Sequence, residues 1–203
     1  MFPLYAVVIG LALGLVLGGR VSNLGRLDLR WAPLAMVGLL VQVALFAEPV
    51  AARIGSFGPP TYVASSALVL VALLRNLQIT GLKLVAVGAI SNLAAIIANG
   101  GSMPASPDAL AALGKSVGEG YSNSVEAADP ALAGLTDIYS LPAWLPFANV
   151  FSIGDLMIGI GIAVAVGLAM RDEGGADGNR PHGHADRVPM GHGTGAEPPI
   201  RSS

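Results

Sequence analysis

The chain has 203 residues, 53% of them hydrophobic and 12% charged, with a formal net charge of −2. A soluble domain carries about 25% charged residues, so this composition argues for an integral membrane protein built as one helical bundle. Near-neutrality without a basic run argues against nucleic acid as a partner, and the absence of cysteine excludes disulfides, thiolate catalysis and Cys-based metal sites.

The first apolar run, Phe2 to Gly19, lacks a basic leading region and a small-x-small cleavage site. It reads as a transmembrane helix rather than a signal peptide. Its Gly10, Gly14 and Gly18 recur every four residues and make one flat face, suited to close packing inside the chain or to a dimer. Further continuous apolar runs predict spans at about 31–47, 58–74, 80–98 and 150–170. Most sit at the short end of the roughly 17–25 residues that a spanning helix needs. The third is diluted by Thr61, Ser65 and Ser66. The fold class expected is therefore an all-α membrane protein of five transmembrane helices, with an external segment of about 50 residues, 100–149, between the fourth and fifth.

Nine of the eleven basic residues fall on one side of alternating spans: Arg20, Arg26, Arg30, Arg75, Lys83, Arg171, Arg180, Arg187 and Arg201. Arg53 and Lys115 fall on the other. The positive-inside rule then sets the N-terminus outside and the C-terminus in the cytoplasm.

Asn92 lies toward the outer half of the fourth span, where its amide needs a partner inside the bundle. It reads either as interhelical glue or as a group that orients a carboxylate or a substrate carbonyl. Asn99-Gly-Gly-Ser-Met-Pro104 is a helix stop, since Asn and Gly supply left-handed backbone and Pro blocks continuation. Asn99 also counts as a supporting residue, because such a loop can line a site. Pro107 to Gly114 predicts a short helix with Asp108 in its first turn, and Gly118 to Asn123 a loop. Trp144, between Pro142 and Pro146, suits a membrane interface.

Asp155 opens the last apolar run, where an ionisable group is expensive and points to function. A bland account stands beside this one. Ser152-x-x-Asp155 has the form of a capping box, in which the two side chains satisfy the free amides of the helix start. Asp137 lies eighteen residues upstream in the external segment. It is either an exposed loop acid or the partner of Asp155. Two carboxylates brought close cannot both ionise easily, which leaves an acid beside a base.

Residues 173–203 are rich in Gly, Pro, Asp and Arg and are expected to form a disordered cytoplasmic tail beyond a bundle of residues 1–172. His182, His184 and His192 there make a poor preformed metal site, and no metal or cofactor is expected.

Asn99-Gly-Gly-Ser-Met-Pro and Phe151-Ser-Ile-Gly-Asp155 resemble an uncharacterised family of bacterial integral membrane proteins over about residues 1–170, which implies a location in the bacterial cytoplasmic membrane and no activity. Residues 88–170 also resemble the second half of the lipoprotein signal peptidases (signal peptidase II). Ser91-Asn92 stands at that family's Gly-Asn element, and Leu135-Thr-Asp137-Ile at its external aspartate. Phe151-Ser-Ile-Gly-Asp155 followed by Gly159 stands at the Phe-Asn-x-Ala-Asp that opens its last helix. This likeness implies Asp137 and Asp155 as a catalytic pair, Asn92 and Ser152 as supporting residues, and a membrane-embedded peptide or lipoprotein as substrate. The chain departs from that family in having Ser152 for its Asn, no Asp-Arg after the Gly-Asn element, a longer external loop and an added N-terminal span. The sequence thus supports an aspartic-peptidase-like enzyme or a non-catalytic bundle that binds lipid or a protein partner.

Overall fold

The computed structural model describes residues 2–114 and 124–171. The expected tail with its three histidines, Lys115 and the expected loop at 118–123 lie outside the described residues. The protein is mostly helical, with seven α-helices among the described residues.

Five helices occupy the five apolar runs: α1 (Phe2–Val16), α2 (Ala32–Leu45), α4 (Gly58–Leu74), α5 (Leu82–Ala98) and α7 (Ile153–Arg171). Between α2 and α4 the chain adds α3 (Glu48–Ile54), joined to α4 by a 3-10 turn, Gly55–Phe57, at whose start Gly55 has φ +51°. Pro49, in the first turn of α3, has no amide hydrogen to lose there, so it starts a helix rather than breaking one. Two helical stretches, Glu48–Leu74 and Ile153–Arg171, are long and apolar enough to cross a membrane. The helices from Pro3 to Val16, Ala32 to Leu45 and Leu82 to Ala98 are apolar but shorter.

Packing runs in the order α1, α7, α5, α4, α2. Glycines allow the closest approaches. A Cβ at Gly10 would lie 2.9 Å from the Ala163 carbonyl of α7, and one at Gly14 would strike Met170. The glycine face of α1 therefore packs inside the chain at these two positions, whereas Gly18 meets nothing within 4 Å. At the basic end the backbone amide of Arg20 (2.8 Å) and the side-chain amide of Asn23 (2.9 Å) both donate to the Met170 carbonyl, which α7 leaves without a helical partner.

At the other end, α5 stops at Asn99. Gly100 and Gly101 follow with φ of +73° and +93°, as the sequence leads one to expect of a left-handed helix stop. The chain then forms β1 (Met103–Ala105), α6 (Pro107–Ala111), β2 (Ser124–Glu126), β3 (Tyr139–Ser140) and β4 (Val150–Phe151). Strand β1 pairs in parallel with β2 on one side and bridges Asp137 on the other. Strands β3 and β4 are antiparallel, with Tyr139 opposite Phe151 and their rings stacked 5.5 Å apart. This segment has a small core of Ala105, Ala109, Leu110 and Val150, and Met103 joins it to Ala95 and Ile96 at the end of α5.

Candidate functional site

Hairpin register brings the two aspartates into one region. Tyr139 pairs with Phe151 and Ser140 with Val150. Extending that register by two residues sets Asp137 opposite Ile153, the first residue of α7. Asp155 follows within the first turn of that helix. The chain from 138 to 154 thus leaves the bundle, turns, and returns beside its starting point.

Asp155 is held on both oxygens. Its Oδ1 accepts from Asn92 Nδ2 at 2.8 Å, and its Oδ2 accepts from the Ser152 backbone amide at 3.2 Å. Ser152 Oγ accepts from the Asp155 amide at 3.0 Å and donates to Asn92 Oδ1 at 2.8 Å. The first two residues form the reciprocal capping box that their spacing predicts. Asn92 extends it across to α5, so one ring of side chains closes over two helices. Such a ring satisfies polar groups that an apolar bundle could not otherwise shelter.

Glycine makes the ring geometrically possible. A Cβ on Gly154 would overlap Asn92 Oδ1 and lie 2.8 Å from the Gly88 carbonyl. A Cβ on Gly88 would overlap the Gly154 carbonyl and come within 2.9 Å of Ile158. The two glycines therefore set the distance at which the Asn92 amide can reach Asp155.

Asp137 is placed by its backbone. Its amide donates to the Pro104 carbonyl at 2.9 Å, and its carbonyl accepts from the Ser106 amide at 3.0 Å. The residue is 6% exposed, and its Oδ1 is buried with no hydrogen-bond partner among the described residues. Burial pushes its carboxyl up from 3.8 to about 7, and the negative charge of Asp155 adds to the rise. A carboxyl raised to about 7 by burial can exchange a proton near neutral pH.

Of the residues singled out in the sequence, Asn92, Ser152 and Asp155 share direct hydrogen bonds, and Asp137 feels the charge of Asp155. Asn99 does something else. Its amide donates to Ala131 and Ala95 carbonyls at 2.8 Å each, and its Oδ1 accepts from the Ala131 amide at 2.9 Å. It pins the segment between α5 and α7 to the end of α5. Sequence reasoning did not single out the side chain of Ser91, whose Oγ is buried without a partner among the described residues. It also missed Tyr5, whose hydroxyl donates to the Pro146 carbonyl and ties α1 to the segment that precedes α7. A hydroxyl beside Asn92 in an otherwise apolar helix was the available signal for Ser91; the partner of Tyr5 had none.

Tyr5 also edges an apolar cleft of about 340 Å³ between α1 and α7, walled by Ile9, Leu156, Gly159 and Ile160 and roofed by Leu141 and Leu145. Neither aspartate is part of its wall.

No curated protein and no solved structure matches the chain, so the likeness to lipoprotein signal peptidases rests on the motif residues alone. Residues 26–167, most of the chain, match the model of a family of unknown function, DUF5317, and the chain belongs to that family.

Proposed function

We propose that the protein is a five-helix integral protein of the bacterial cytoplasmic membrane whose Asp137 and Asp155 form an acid–base pair for aspartic-peptidase-like hydrolysis near the outer surface. Support for the membrane comes from the outward faces of the helices. Val8, Val16, Met36, Leu40, Val43 and Ile97 are each more than half exposed. In the most apolar windows of Glu48–Leu74 and Ile153–Arg171, 17% and 39% of residues are buried. Helices apolar all round belong either inside a large core or in lipid, and these are not covered by protein.

The observation that carries the chemical reading is the buried carboxyl of Asp137, with one oxygen unpartnered and a carboxylate nearby. In this mechanism Asp155, fixed by Asn92 and Ser152, takes a proton from the attacking water. Asp137, whose carboxyl is raised to about 7 by burial, gives one to the leaving amine when it carries its proton. The substrate class is a membrane-embedded peptide or lipidated protein.

A second reading is favoured by the hydrogen bonds of Asp155. Each of its oxygens already has a structural partner, so a non-catalytic bundle that binds lipid or a protein would use it as a helix cap. Full-length protein reconstituted in vesicles with a membrane-inserted lipopeptide separates the two, with products followed by mass spectrometry. The peptidase reading expects cleavage by the wild type, loss in both Asp137→Asn and Asp155→Asn, and retention in Asp108→Asn, an exposed acid of α6. Absence of cleavage by well-folded wild type, or loss in one aspartate variant and not the other, favours the second reading. Asp155→Asn then costs about 1 kcal/mol of helix-end stability.

A further inference from the structure

The basic end of the bundle carries a second cluster that the acid–base site does not use. Asn76, 4% exposed at the end of α4, clasps the loop before α2. Its Oδ1 accepts from the Arg30 amide at 2.8 Å, while its Nδ2 donates to the Arg30 carbonyl and the Ala72 carbonyl, both at 2.7 Å. Each side of this clasp carries an exposed arginine: Arg30 itself, and Arg75 next to Asn76. The Arg75 guanidinium lies 4.4 Å from the ring centroid of Trp31, the neighbour of Arg30. Trp31 is half exposed and holds a left-handed conformation, φ 59°, that a bulky residue adopts at a cost. Among the described residues, neither arginine is paired with a carboxylate. The loops at this end contain one acid, Asp28, against Arg20, Arg26, Arg30 and Arg75.

Position at the C-terminal end of α4 accounts for one cation there, through the helix dipole. It accounts neither for Arg30 nor for a buried asparagine spent on holding the two positions together. Beside the arginines lie exposed apolar side chains: Leu29 before Arg30, and Val71 and Leu74 on the last turn of α4. Exposed arginines beside exposed aliphatic side chains complement an anionic phospholipid, whose phosphate meets the cations and whose chains run along the helix.

We propose that Arg30 and Arg75, set side by side by Asn76, hold the headgroup of an anionic phospholipid at the basic end of the bundle. The inference rests on the membrane location proposed above and is independent of any peptidase activity. Trp31 braces the Arg75 guanidinium and occupies the interfacial depth that aromatic rings favour.

The test uses full-length protein in neutral detergent micelles, titrated with short-chain phosphatidylglycerol, short-chain phosphatidylcholine or inorganic phosphate, with bound species counted by native mass spectrometry. Wild type is expected to prefer phosphatidylglycerol to both other probes. At about 1 kcal/mol per cation, Arg30→Gln or Arg75→Gln lowers apparent affinity for phosphatidylglycerol about fivefold, and the double variant about thirtyfold. Arg53→Gln, in α3, where Arg53 donates to the Pro49 carbonyl, leaves the affinity unchanged. Equal loss in Arg53→Gln, equal binding of phosphatidylcholine, or equal binding of free phosphate overturns the proposal. Alkaline carbonate extraction of the protein from vesicles tests the membrane location separately: an extractable protein overturns both readings, whereas an unextractable one without lipid preference overturns the headgroup site alone.

Discussion

Replacing Asp137 by Asn should remove most of the pH dependence of stability between mild acid and neutrality. In the folded protein this carboxyl titrates near 7, against an ordinary 3.8. Between those values the folded protein keeps the proton and the unfolded chain has lost it, so folding takes up a proton across the window. Stability is therefore fully present below about pH 3.8 and declines as pH rises to about 7, beyond which this group adds no further loss. The slope reaches about 1.4 kcal/mol per pH unit and the total is about 4 kcal/mol. The cause is burial first, with the charge of Asp155 second, so Asp155→Asn should flatten part of the slope and Asp137→Asn nearly all of it. Thermal unfolding in neutral micelles at pH 4.5 to 8.5, on wild type and both variants, measures this. Parallel profiles for wild type and Asp137→Asn would refute the assignment of a shared electrostatic site.

Gly154→Ala should destabilise the protein by about 1–3 kcal/mol, because overpacking against Gly88 and loss of the Asn92 bonds outweigh the gain of about 1 kcal/mol in helix propensity. Gly134→Ala, where a Cβ meets nothing within 4 Å, should change the unfolding midpoint little, and equal effects of the two would deny that Gly154 sets the ring. For topology, the native chain has no cysteine, so a single thiol placed at Asp129 or Thr80 is unambiguous. In intact cells an impermeant maleimide should label Cys at 129 and spare Cys at 80; equal labelling refutes the orientation.

Features legible in the sequence were those written over long windows or fixed local spacings. Continuous apolarity located all five long helices, the Ser152-x-x-Asp155 spacing predicted a reciprocal cap, and Asn99-Gly-Gly predicted the left-handed stop. Helix α3 was hidden because Glu48 and Arg53 interrupt the apolar run, although Pro49 in a first turn favours a helix start. The strands are two or three residues long, too short to show alternation. The bond from Asn92 to Asp155 spans 63 residues and depends on two glycines meeting across helices, which no local pattern encodes. Asn99 illustrates the opposite difficulty: its type and position fit a site residue, yet its amide is occupied by Ala131 and the Ala95 carbonyl.

The two aspartates have different supports, and this bears on how the pair can be controlled. Asp155 is fixed by α5 and α7 through Asn92 and Ser152, all within the helical layer. Asp137 is fixed by the segment between α5 and α7, through β1, the hairpin register and, at one remove, the Asn99 clamp on Ala131. The negative charge of Asp155 can therefore act on Asp137 only when that segment lies folded on the end of the bundle. Its own core is four small or medium side chains, Ala105, Ala109, Leu110 and Val150, which bury little apolar area. Elements with few buried contacts open at lower free-energy cost than the helices beneath them. Opening there would hydrate Asp137, relieve its burial and separate it from Asp155 while leaving the Asn92–Ser152–Asp155 ring closed. The acid–base pairing proposed above would thus depend on docking of the segment between α5 and α7.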